Sequence, residues 1–447
     1  MKRAGVKILH ITTHLGGGVG RALSSIVTYE RKNNPGHTHK ILLLEAPEKD
    51  QFVNACRGAG VEVLSAGKDP DLPRELSGAD IVVLHWWHHP VMAKFLAAFP
   101  GIPIRLVLWS HVNGCNYPCL PFKFADLPQK AFFTSPFSFE NPTWTEKQRE
   151  RLKSRSAVVY GLGMLDFPGQ PVKIRHSGDF VVGYAGTLSD SKIHPGFVDL
   201  CGEVLEKVPS ARFVLVGDVS NNNAILRQAR TRNIAQRFTF TGYSRRIETE
   251  LAKFDMFAYP LNPKHFGTTE NVLLEAMAFG LPVLVFNQNA EKYIVRGHRK
   301  VGLLANNARH YAESVKYLYD HPGERARIGN NAREYVKKKF AFGKNVDLLR
   351  GELEKVLRTR KKTFEFSRIF GAAPAQWFLS CLGEEARTFA ASISRKRPSV
   401  AERKELEARI RACSPILRQK TKSSIIHFAE TFPEDKELQY WKGLLKA

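Results

Sequence analysis

Three segments of the sequence combine residue types that suit the binding of an anionic ligand, and the first is rich in glycine. It reads Gly16-Gly17-Gly18-Val19-Gly20-Arg21 and follows a short apolar run. Glycines let the backbone approach a ligand closely, and a helix that begins behind them would direct N–H groups at an anion. The spacing differs from the dinucleotide-binding fingerprint, because Arg21 stands three residues after Gly18. The segment is therefore either an anion-binding turn or a tight turn without a ligand.

The second segment, Gly186-Thr187-Leu188-Ser189-Asp190-Ser191-Lys192, follows a predicted strand at 180–184. An ammonium group beside the end of a strand is well placed to hold a diphosphate as a point charge. The alternative interpretation of Lys192 is a solvated surface lysine.

The third segment runs from Gly267 to Val283 and contains an apolar helix, predicted at 271–279. Glu275 lies inside this helix, directly after Leu273 and Leu274. A carboxylate there is costly unless it accepts hydrogen bonds, and sugar hydroxyls would supply them. The alternative is a glutamate that pairs with a neighbouring Arg or Lys.

Two other clusters have a weaker claim to chemistry. His111, Cys115 and Cys119 recur every four residues, but the intervening glycine and prolines disfavour a helix and no fourth ligand is apparent. We therefore predict no metal. Trp86-Trp87-His88-His89 is either a platform on which a sugar ring stacks or part of the core.

Alternating strands and helices must position these residues, which predicts the α/β class with mostly parallel sheets. A Gly- and Pro-rich linker at 158–177 separates two such sets. A helix at 21–30 follows the glycine segment, and a charged helix at 332–358 follows the second set. The strands are predicted at 7–12, 40–44, 61–64, 81–85 and 105–109 in the first set, and at 180–184, 213–216, 238–240, 256–259 and 282–286 in the second.

The domain boundaries follow from this pattern. We predict an N-terminal Rossmann-like domain at 1–165, a C-terminal one at 175–345, a crossing helix at 346–362 and a helical appendage at 363–447. Helices are expected in the appendage at 401–411 and 423–431. Its last residues resemble part of a tetratricopeptide-type hairpin, which predicts packing on the enzyme or on a protein partner.

Composition narrows the class of protein. The 447 residues are 43% hydrophobic and 25% charged, and no apolar run reaches the length of a membrane helix. The apolar stretch at 8–11 is too short for a signal peptide, and six cysteines do not suggest a disulfide framework, so we predict a cytoplasmic location. The net charge of +24 favours an anionic membrane surface or an acidic substrate; no nucleic-acid module is readable, so nucleic acid is not expected as a partner.

Taken together, the three segments resemble the retaining glycosyltransferases of family 4, also called group 1, over about residues 7–350. The resemblance implies two facing Rossmann-like domains, the GT-B fold, with a nucleotide-sugar donor between them. Leu273-Leu274-Glu275-Ala276-Met277-Ala278 matches the family's second-glutamate motif, whose carboxylate binds the donor ribose. Lys192 matches the lysine that holds the donor phosphates, and Gly16, Gly17 and Gly18 match the loop that meets the same diphosphate from the other domain.

The resemblance also assigns the acceptor side and shows two departures. His111 falls where the family keeps an active-site histidine, and His85 is similar to another histidine of the cleft. Thr187 stands where the family has an arginine before the phosphate lysine, so we assign it to the donor site. Gly267 stands where the family has its first glutamate, and the nearest carboxylate, Glu270, is expected to contact the transferred sugar.

The resemblance thus implies transfer of a sugar, with retention, to a glycan or lipid-linked acceptor in cell-surface polysaccharide synthesis at the inner membrane face. The catalytic residues would be His111, Lys192 and Glu270, with no metal and no cofactor besides the donor. One alternative is an inactive transferase-like scaffold that binds partners through its helical tail. A dinucleotide-dependent oxidoreductase is disfavoured by the glycine spacing.

Overall fold

The computed structural model describes residues 5–47, 50–65, 67, 70–163, 178–217, 222–244, 246–394 and 399–446. The chain forms two compact units: the first joins Met1–Gly163 to Gly343–Ala447, and the second is Met164–Phe342. Each unit contains one parallel β-sheet flanked by helices. Most of the predicted linker, 164–177, lies outside the described residues.

The sheet of the first unit has seven parallel strands in the order β3-β2-β1-β4-β5-β6-β7. The strands are β1 Val6–Thr12, β2 His37–Leu43, β3 Glu62–Ser65, β4 Ile81–Trp86, β5 Leu106–Ser110, β6 Lys130–Phe133 and β7 Ser156–Val158. The helices of its N-terminal part are α1 Gly17–Asn33, α2 Gln51–Gly58, α3 Leu72–Gly78, α4 Pro90–Ala97, α5 Phe122–Asp126 and α6 Glu146–Arg155, with a 3₁₀ turn at Pro136–Glu140.

The sheet of the second unit has six parallel strands in the order β10-β9-β8-β11-β12-β13. The strands are β8 Phe180–Ala185, β9 Ala211–Val216, β10 Phe238–Gly242, β11 Met256–Tyr259, β12 Val283–Phe286 and β13 Leu303–Ala305. The helices are α7 Phe197–Lys207, α8 Asn222–Thr231, α9 Ile247–Leu251, α10 Asn271–Phe279, α11 Glu291–Val295, α12 Ala308–Asp320 and α13 Pro322–Lys339, with a 3₁₀ turn at Ala235–Arg237.

The C-terminal part of the chain is helical and belongs to the first unit. Its helices are α14 Phe342–Leu357, α15 Ser367–Phe370, α16 Pro374–Leu379, α17 Ala386–Ser392, α18 Val400–Arg411, α19 Pro415–Arg418, α20 Ile425–Thr431 and α21 Lys436–Lys446, with a 3₁₀ turn at Gly383–Glu385. Within the described residues, none of the helices is both long and apolar enough to cross a bilayer.

The hydrophobic core explains where this helical part packs. Phe428 and Trp441, from α20 and α21, are fully buried in one cluster with Trp86 of β4 and Phe124 of α5. The α20–α21 pair, in the region predicted as a tetratricopeptide-type hairpin, therefore covers its apolar face with its own unit.

The structure differs from the sequence predictions mainly in short elements and helix ends. The helix predicted at 332–358 is two helices, Pro322–Lys339 and Phe342–Leu357. The break lies at Phe340, whose ring is 1% exposed because the chain turns it into the core. Strands β6, β7 and β13 were not predicted, since runs of three or four residues give little periodicity.

Both sheets contain a point where the strand order reverses, between β1 and β4 in the first and between β8 and β11 in the second. Loops at the carboxyl ends of such strands are the usual ligand sites of open α/β sheets. The three segments singled out above follow β1, β8 and β11, so the fold places each of them at such an edge.

Candidate functional site

The loop that carries Lys192 is attached to the loop after β11. The amide of Asn262 donates to the carbonyl oxygen of Lys192 at 2.9 Å, and the Asn262 side chain donates to the carbonyl oxygen of Asp190 at 2.8 Å. Ile193 and Leu261 form an antiparallel bridge. Backbone contacts from a neighbouring strand therefore fix the position of Lys192, which explains why it is not a freely solvated lysine.

The ammonium group of Lys192 forms an ion pair with Glu270. Its Nζ lies 2.7 Å from both Oε1 and Oε2 of Glu270. The hydroxyl of Tyr259, the last residue of β11, donates to Oε2 at 2.8 Å. The side chains of Lys192 and Glu270 are 18% and 5% exposed, so the pair is largely withdrawn from water. We call Lys192, Glu270 and Tyr259 the charged cluster.

Electrostatics keep the Glu270 carboxylate ionised despite its burial. Burial alone would raise the pKa of Glu270, but the charges of Lys192 and His265, with hydrogen bonds from Lys192 and Tyr259, bring that pKa below its usual value. Burial and then the negative charge of Glu270 raise the pKa of Tyr259 well above its usual value. The cluster thus presents one carboxylate, one ammonium group and one neutral phenol.

Gly267 makes room for this arrangement. A Cβ atom at residue 267 would lie 1.8 Å from Oε1 of Glu270 and 2.7 Å from Nζ of Lys192. Glu270 itself has a φ of 42°, a left-handed conformation that turns its side chain at the start of α10. The Glu270 carboxylate therefore lies directly beside residue 267, where the resembled family has its first glutamate.

The other donor-site predictions have clear positions but fewer described contacts. Glu275 is half-buried on α10, five residues after Glu270. Thr187 is exposed, and its carbonyl oxygen accepts a hydrogen bond from the hydroxyl of Tyr184 at 3.0 Å. The structure thus brings Lys192 and Glu270 together in one contact and gives Glu275 and Thr187 separate positions at the same edge of the sheet.

The charged cluster contains residues that the sequence analysis did not name. Tyr259 ends β11, and His265 lies in the following loop with its Nε2 3.0 Å from Oε1 of Glu291. The Gly267 amide donates to Nδ1 of His265 at 2.9 Å. A tyrosine at the carboxyl end of a strand next to the strand order reversal was the available signal.

In the first unit, the glycine segment forms the first turn of α1 rather than a separate loop. The predicted helix, 21–30, begins four residues earlier, at Gly17, with Gly16 as the N-cap. Gly17 has a φ of +53°, and no described atom lies within 4 Å of a Cβ placed at Gly17 or Gly18. Packing in the described residues therefore does not require glycine there, and the exposed amides at the helix N-terminus are open to an anion.

His111 follows β5 and is half-buried. Its Nε2 lies 2.8 Å from Nδ1 of His85, and the two rings stack at 5.1 Å between centroids. Burial lowers the pKa of His111 to about 3, so this ring is neutral near pH 7. A neutral ring has one lone-pair nitrogen that can accept a proton.

The Trp86-Trp87-His88-His89 segment divides between core and surface. Trp86 is 1% exposed within the hydrophobic core. Nδ1 of His89 accepts a hydrogen bond from the amide of Val91 at 3.3 Å and so caps α4. Trp87 is only partly buried, and its ring meets that of His14 at 5.4 Å. Packing accounts for Trp86 and His89, and Trp87 retains a surface for a ligand.

The thiols near His111 have packing roles. The Cys115 Sγ donates to the carbonyl oxygen of Phe137 at 3.2 Å. Burial, and then the charges of Glu384 and Glu385, raise the pKa of Cys119 to about 12. A protonated thiol is a poor metal ligand.

Among the described residues, two other groups place three ligand atoms within 4.8 Å of one another: His14, Glu45 and His89, and also Glu30, His37 and His39. Each carboxylate already meets a cation. Nζ of Lys422 lies 3.7 Å from Oε1 of Glu45, and Nη2 of Arg350 lies 2.8 Å from Oε1 of Glu30. A metal ion would add a second positive charge at each position, which Coulomb repulsion disfavours.

Residues 169–335 match the family model of glycosyl transferases group 1. No curated protein matches the sequence significantly. The matched residues include the charged cluster and Glu275, so the family match covers the edge of the second sheet where the predicted donor residues lie.

Solved structures provide the comparison of the fold. HepE of Anabaena in complex with UDP and glucose has a TM-score of 0.56 and 17% identity, and the match covers 78% of this chain and 100% of that chain. A glycosyltransferase from Rickettsia africae has a TM-score of 0.60 and 15% identity, covering 79% and 99%. TarM of S. aureus in complex with fondaparinux, α-GlcNAc-glycerol and UDP has a TM-score of 0.57 and 11% identity, covering 79% and 100%.

At these identities the likeness shows the fold. The predicted α/β class with two Rossmann-like domains, typical of GT-B glycosyltransferases, and helices at the C-terminus is confirmed. The family match and this fold together support a group 1 glycosyltransferase.

Proposed function

We propose that this chain is a retaining glycosyltransferase that moves a sugar from a nucleotide-sugar donor to a glycan or lipid-linked acceptor. The observation that carries the proposal is the buried ion pair of Lys192 and Glu270, which lies at the carboxyl edge of the second sheet inside the family-matched segment. An ionised pair withdrawn from water is costly to maintain for stability alone, and it suits a site where charge develops during a reaction.

Lys192 would stabilise the leaving diphosphate. Two carboxylate oxygens and the backbone of Asn262 hold its ammonium group in place. Little reorganisation would then be needed when negative charge builds on the leaving oxygen, which is the condition under which such a group contributes most. No protein nucleophile and no metal is required for this step.

Glu270 would contact the transferred sugar. A carboxylate can accept about four hydrogen bonds, and Lys192 and Tyr259 leave capacity for sugar hydroxyls. Its head lies beside Gly267, so in this proposal Glu270 replaces the family's first glutamate from a different backbone position. Glu275 would bind the donor ribose, and Thr187 would meet the diphosphate where the family uses an arginine.

The first unit would supply the acceptor side. The amides at Gly16, Gly17 and Gly18 would meet the diphosphate at the N-terminus of α1. His111, held neutral by burial, would accept a proton from the acceptor hydroxyl.

UDP is the first nucleotide to test, because HepE and TarM are described in complexes that contain it. The acceptor class is a proposal from the family resemblance. The net charge of +24 supports work beside an anionic membrane face in the cytoplasm, in cell-surface polysaccharide synthesis.

The test is calorimetric titration of the full chain with UDP, GDP, ADP and their glucose derivatives, in the presence of EDTA. We expect one base to bind selectively without added metal. Lys192→Ala should weaken this binding at least tenfold. The matched control is Lys253→Ala, which removes an exposed lysine of the same unit that pairs with Glu250.

The outcomes separate the two functional hypotheses. If none of the nucleotides binds, the donor site proposed here is wrong and the inactive scaffold takes its place. If binding requires a divalent cation, the metal-free part of the proposal fails while the donor site stands.

A further inference from the structure

Four histidines form a line across the sheet of the first unit. His39 lies on β2, His10 on β1 and His85 on β4, and His111 follows β5. The sheet order β2-β1-β4-β5 makes these strands neighbours although the four residues are far apart in sequence. We call these four residues the histidine row.

The rings are joined head to tail. His111 Nε2 lies 2.8 Å from His85 Nδ1, His85 Nε2 lies 3.0 Å from His10 Nδ1, and His10 Nε2 lies 2.9 Å from His39 Nδ1. Every contact thus joins an Nε2 to the Nδ1 of the next ring. These distances are normal for hydrogen bonds, so one nitrogen of each pair carries the hydrogen.

The rings are neutral, which limits the row to two states. Burial lowers the pKa of His10 and His85 well below the usual value, and that of His39 to about 4. A neutral imidazole has one N–H donor and one lone-pair acceptor. Because each ring donates through one nitrogen and accepts through the other, either every ring carries its hydrogen at Nε2 or every ring carries it at Nδ1.

Glu30 lies at the far end and distinguishes these two states. Its Oε2 is 4.0 Å from Nε2 of His39, and its Oε1 pairs with Nη2 of Arg350 at 2.8 Å. Burial would raise the pKa of Glu30, but contacts with His37, Arg350 and Asn34 lower it to about 2, so the group is an anion. A carboxylate favours an N–H dipole over a lone pair at the facing nitrogen.

We propose that Glu30 and the buried rings of His39, His10 and His85 are positioning residues that hold His111 in the Nε2–H tautomer. The state with hydrogen at every Nε2 directs an N–H of His39 toward Glu30, whereas the opposite state directs a lone pair at it. The Nδ1 of His111 is then the lone-pair nitrogen, fixed by a carboxylate on α1 three rings away.

The consequence for catalysis rests on the proposed function. The O–H bond of the acceptor hydroxyl breaks, and its proton goes to Nδ1 of His111. The freed electron pair forms the bond from the acceptor oxygen to the anomeric carbon. The bond from that carbon to the diphosphate oxygen breaks, and its electron pair leaves with the diphosphate. With the opposite tautomer, Nδ1 would already carry a hydrogen and could not take this proton.

The tautomers can be observed directly by long-range ¹H–¹⁵N correlation NMR of the full chain with ¹⁵N-labelled histidine. Signals of His111 are assigned by their loss in His111→Gln. We expect the protonated nitrogen of His111 to be Nε2 in the wild-type protein. Hydrogen at Nδ1 of His111 would overturn the proposal without any need for a variant.

Glu30→Gln is the decisive variant. The guanidinium of Arg350 requires the amide oxygen of the new side chain, so the amide NH₂ faces His39, and Asn34, which donates to Oε2 at 3.2 Å in the wild type, must turn its side chain. A donor that faces Nε2 of His39 reverses the row. We expect His111 to change to the Nδ1–H tautomer in Glu30→Gln, and an unchanged tautomer in that folded variant contradicts the proposal.

Glu45→Gln is the matched control, because Glu45 is a carboxylate of the same unit that meets His14 and His89 rather than the histidine row. It should leave the His111 tautomer unchanged. In transfer assays, Glu30→Gln should lower kcat about 10²-fold with the donor KM within about twofold. Absence of nucleotide binding in the wild type would defeat the proposed function while the tautomer result stands, and the reverse pair of results would defeat only this inference.

Discussion

The first unit buries its histidine row as neutral rings, whereas the second unit buries Lys192 and Glu270 as two charges. Both sets of side chains lose water, and burial opposes the charged form in both. In the row, burial lowers the pKa of His10 and His85, and the rings remain uncharged. In the charged cluster, the Lys192 ammonium group outweighs burial and the pKa of Glu270 falls.

The difference teaches that burial alone does not decide whether a polar group is charged. What decides it is a counter-charge at contact distance, which Glu270 has at 2.7 Å and which the inner rings of the row lack among their described neighbours. A neutral row can pass on the position of a hydrogen atom, and an ion pair can stabilise charge that develops nearby. The two units thus hold different chemical tools in similar folds.

The largest effect should come from Lys192→Ala, which removes the counter-charge of the cluster. It should lower kcat for donor turnover by about 10²–10³-fold, because the leaving diphosphate loses its main stabilising charge. Glu270 would remain buried without its cation, at a cost of up to about 3–5 kcal/mol in unfolding free energy. Turnover of the nucleotide-sugar and chemical denaturation measure the two effects, and a wild-type rate in Lys192→Ala would break this half of the comparison.

A second test uses acid. The pKa of His39 is lowered to about 4 and that of His111 to about 3, against about 6.5 when unfolded, so the unfolded state binds protons first as the pH falls. Their stabilising contribution is present above pH 6.5 and is lost toward pH 4, by up to about 1.4 kcal/mol per pH unit for each ring. Glu270 has a lowered pKa, and its contribution is lost only below about pH 4.3.

We therefore expect the first unit to lose stability between pH 6.5 and 4.5 while the contribution of the charged cluster persists. Hydrogen exchange followed by mass spectrometry, corrected for the intrinsic rate at each pH, reports the two units separately. Equal loss of protection in both units over this range would show that the histidines do not dominate.

Gly267→Ala tests how closely the cluster is packed. The new Cβ would overlap Oε1 of Glu270 and displace the ion pair, which should cost about 1–3 kcal/mol and lower turnover. Gly323→Ala is the control, because no described atom lies within 4 Å of a Cβ there and residue 323 lies in the first turn of α13. It should be neutral or stabilise by up to about 1 kcal/mol. Equal stability changes in the two variants would show that the cluster has spare room.

The smallest effect should come from Glu275→Ala. Loss of a carboxylate that accepts hydrogen bonds from ribose should raise the donor KM about tenfold, with little change in unfolding free energy since the residue is half-buried. Glu313→Ala, which removes an exposed glutamate paired with Arg309, should change neither quantity measurably. A donor KM that stays at the wild-type value in Glu275→Ala would remove the residue from the donor site.

Much of the fold could be predicted because buried parallel strands read as apolar runs. Strand β11 and helix α10 have the predicted bounds, and most other predicted strands are within a few residues. Helix ends were less predictable: α1 begins inside the glycine segment, since the first turn of a helix tolerates glycine and leaves its amides unpaired. The choice of site residues, including Lys192, Glu275 and His111, stays a prediction until tested.

The contacts within the site could not be predicted, because they depend on strand order. Lys192 and Glu270 are 78 residues apart in sequence, and they meet because β8 and β11 are neighbours. The sequence analysis named His85 and His111 but not His10 and His39, whose relation to them becomes visible only when β2, β1, β4 and β5 are placed side by side. A histidine on each of these strands was the signal.

The first unit is made from both ends of the sequence, and this has a consequence during synthesis on the ribosome. Residues 164–342 can leave the exit tunnel and fold as a complete unit while the first unit still lacks Phe428 and Trp441. Until those aromatic residues emerge, the apolar surface they cover around Trp86 and Phe124 stays open to water and to chaperones. The part of the protein that is translated first is therefore the part that is finished last.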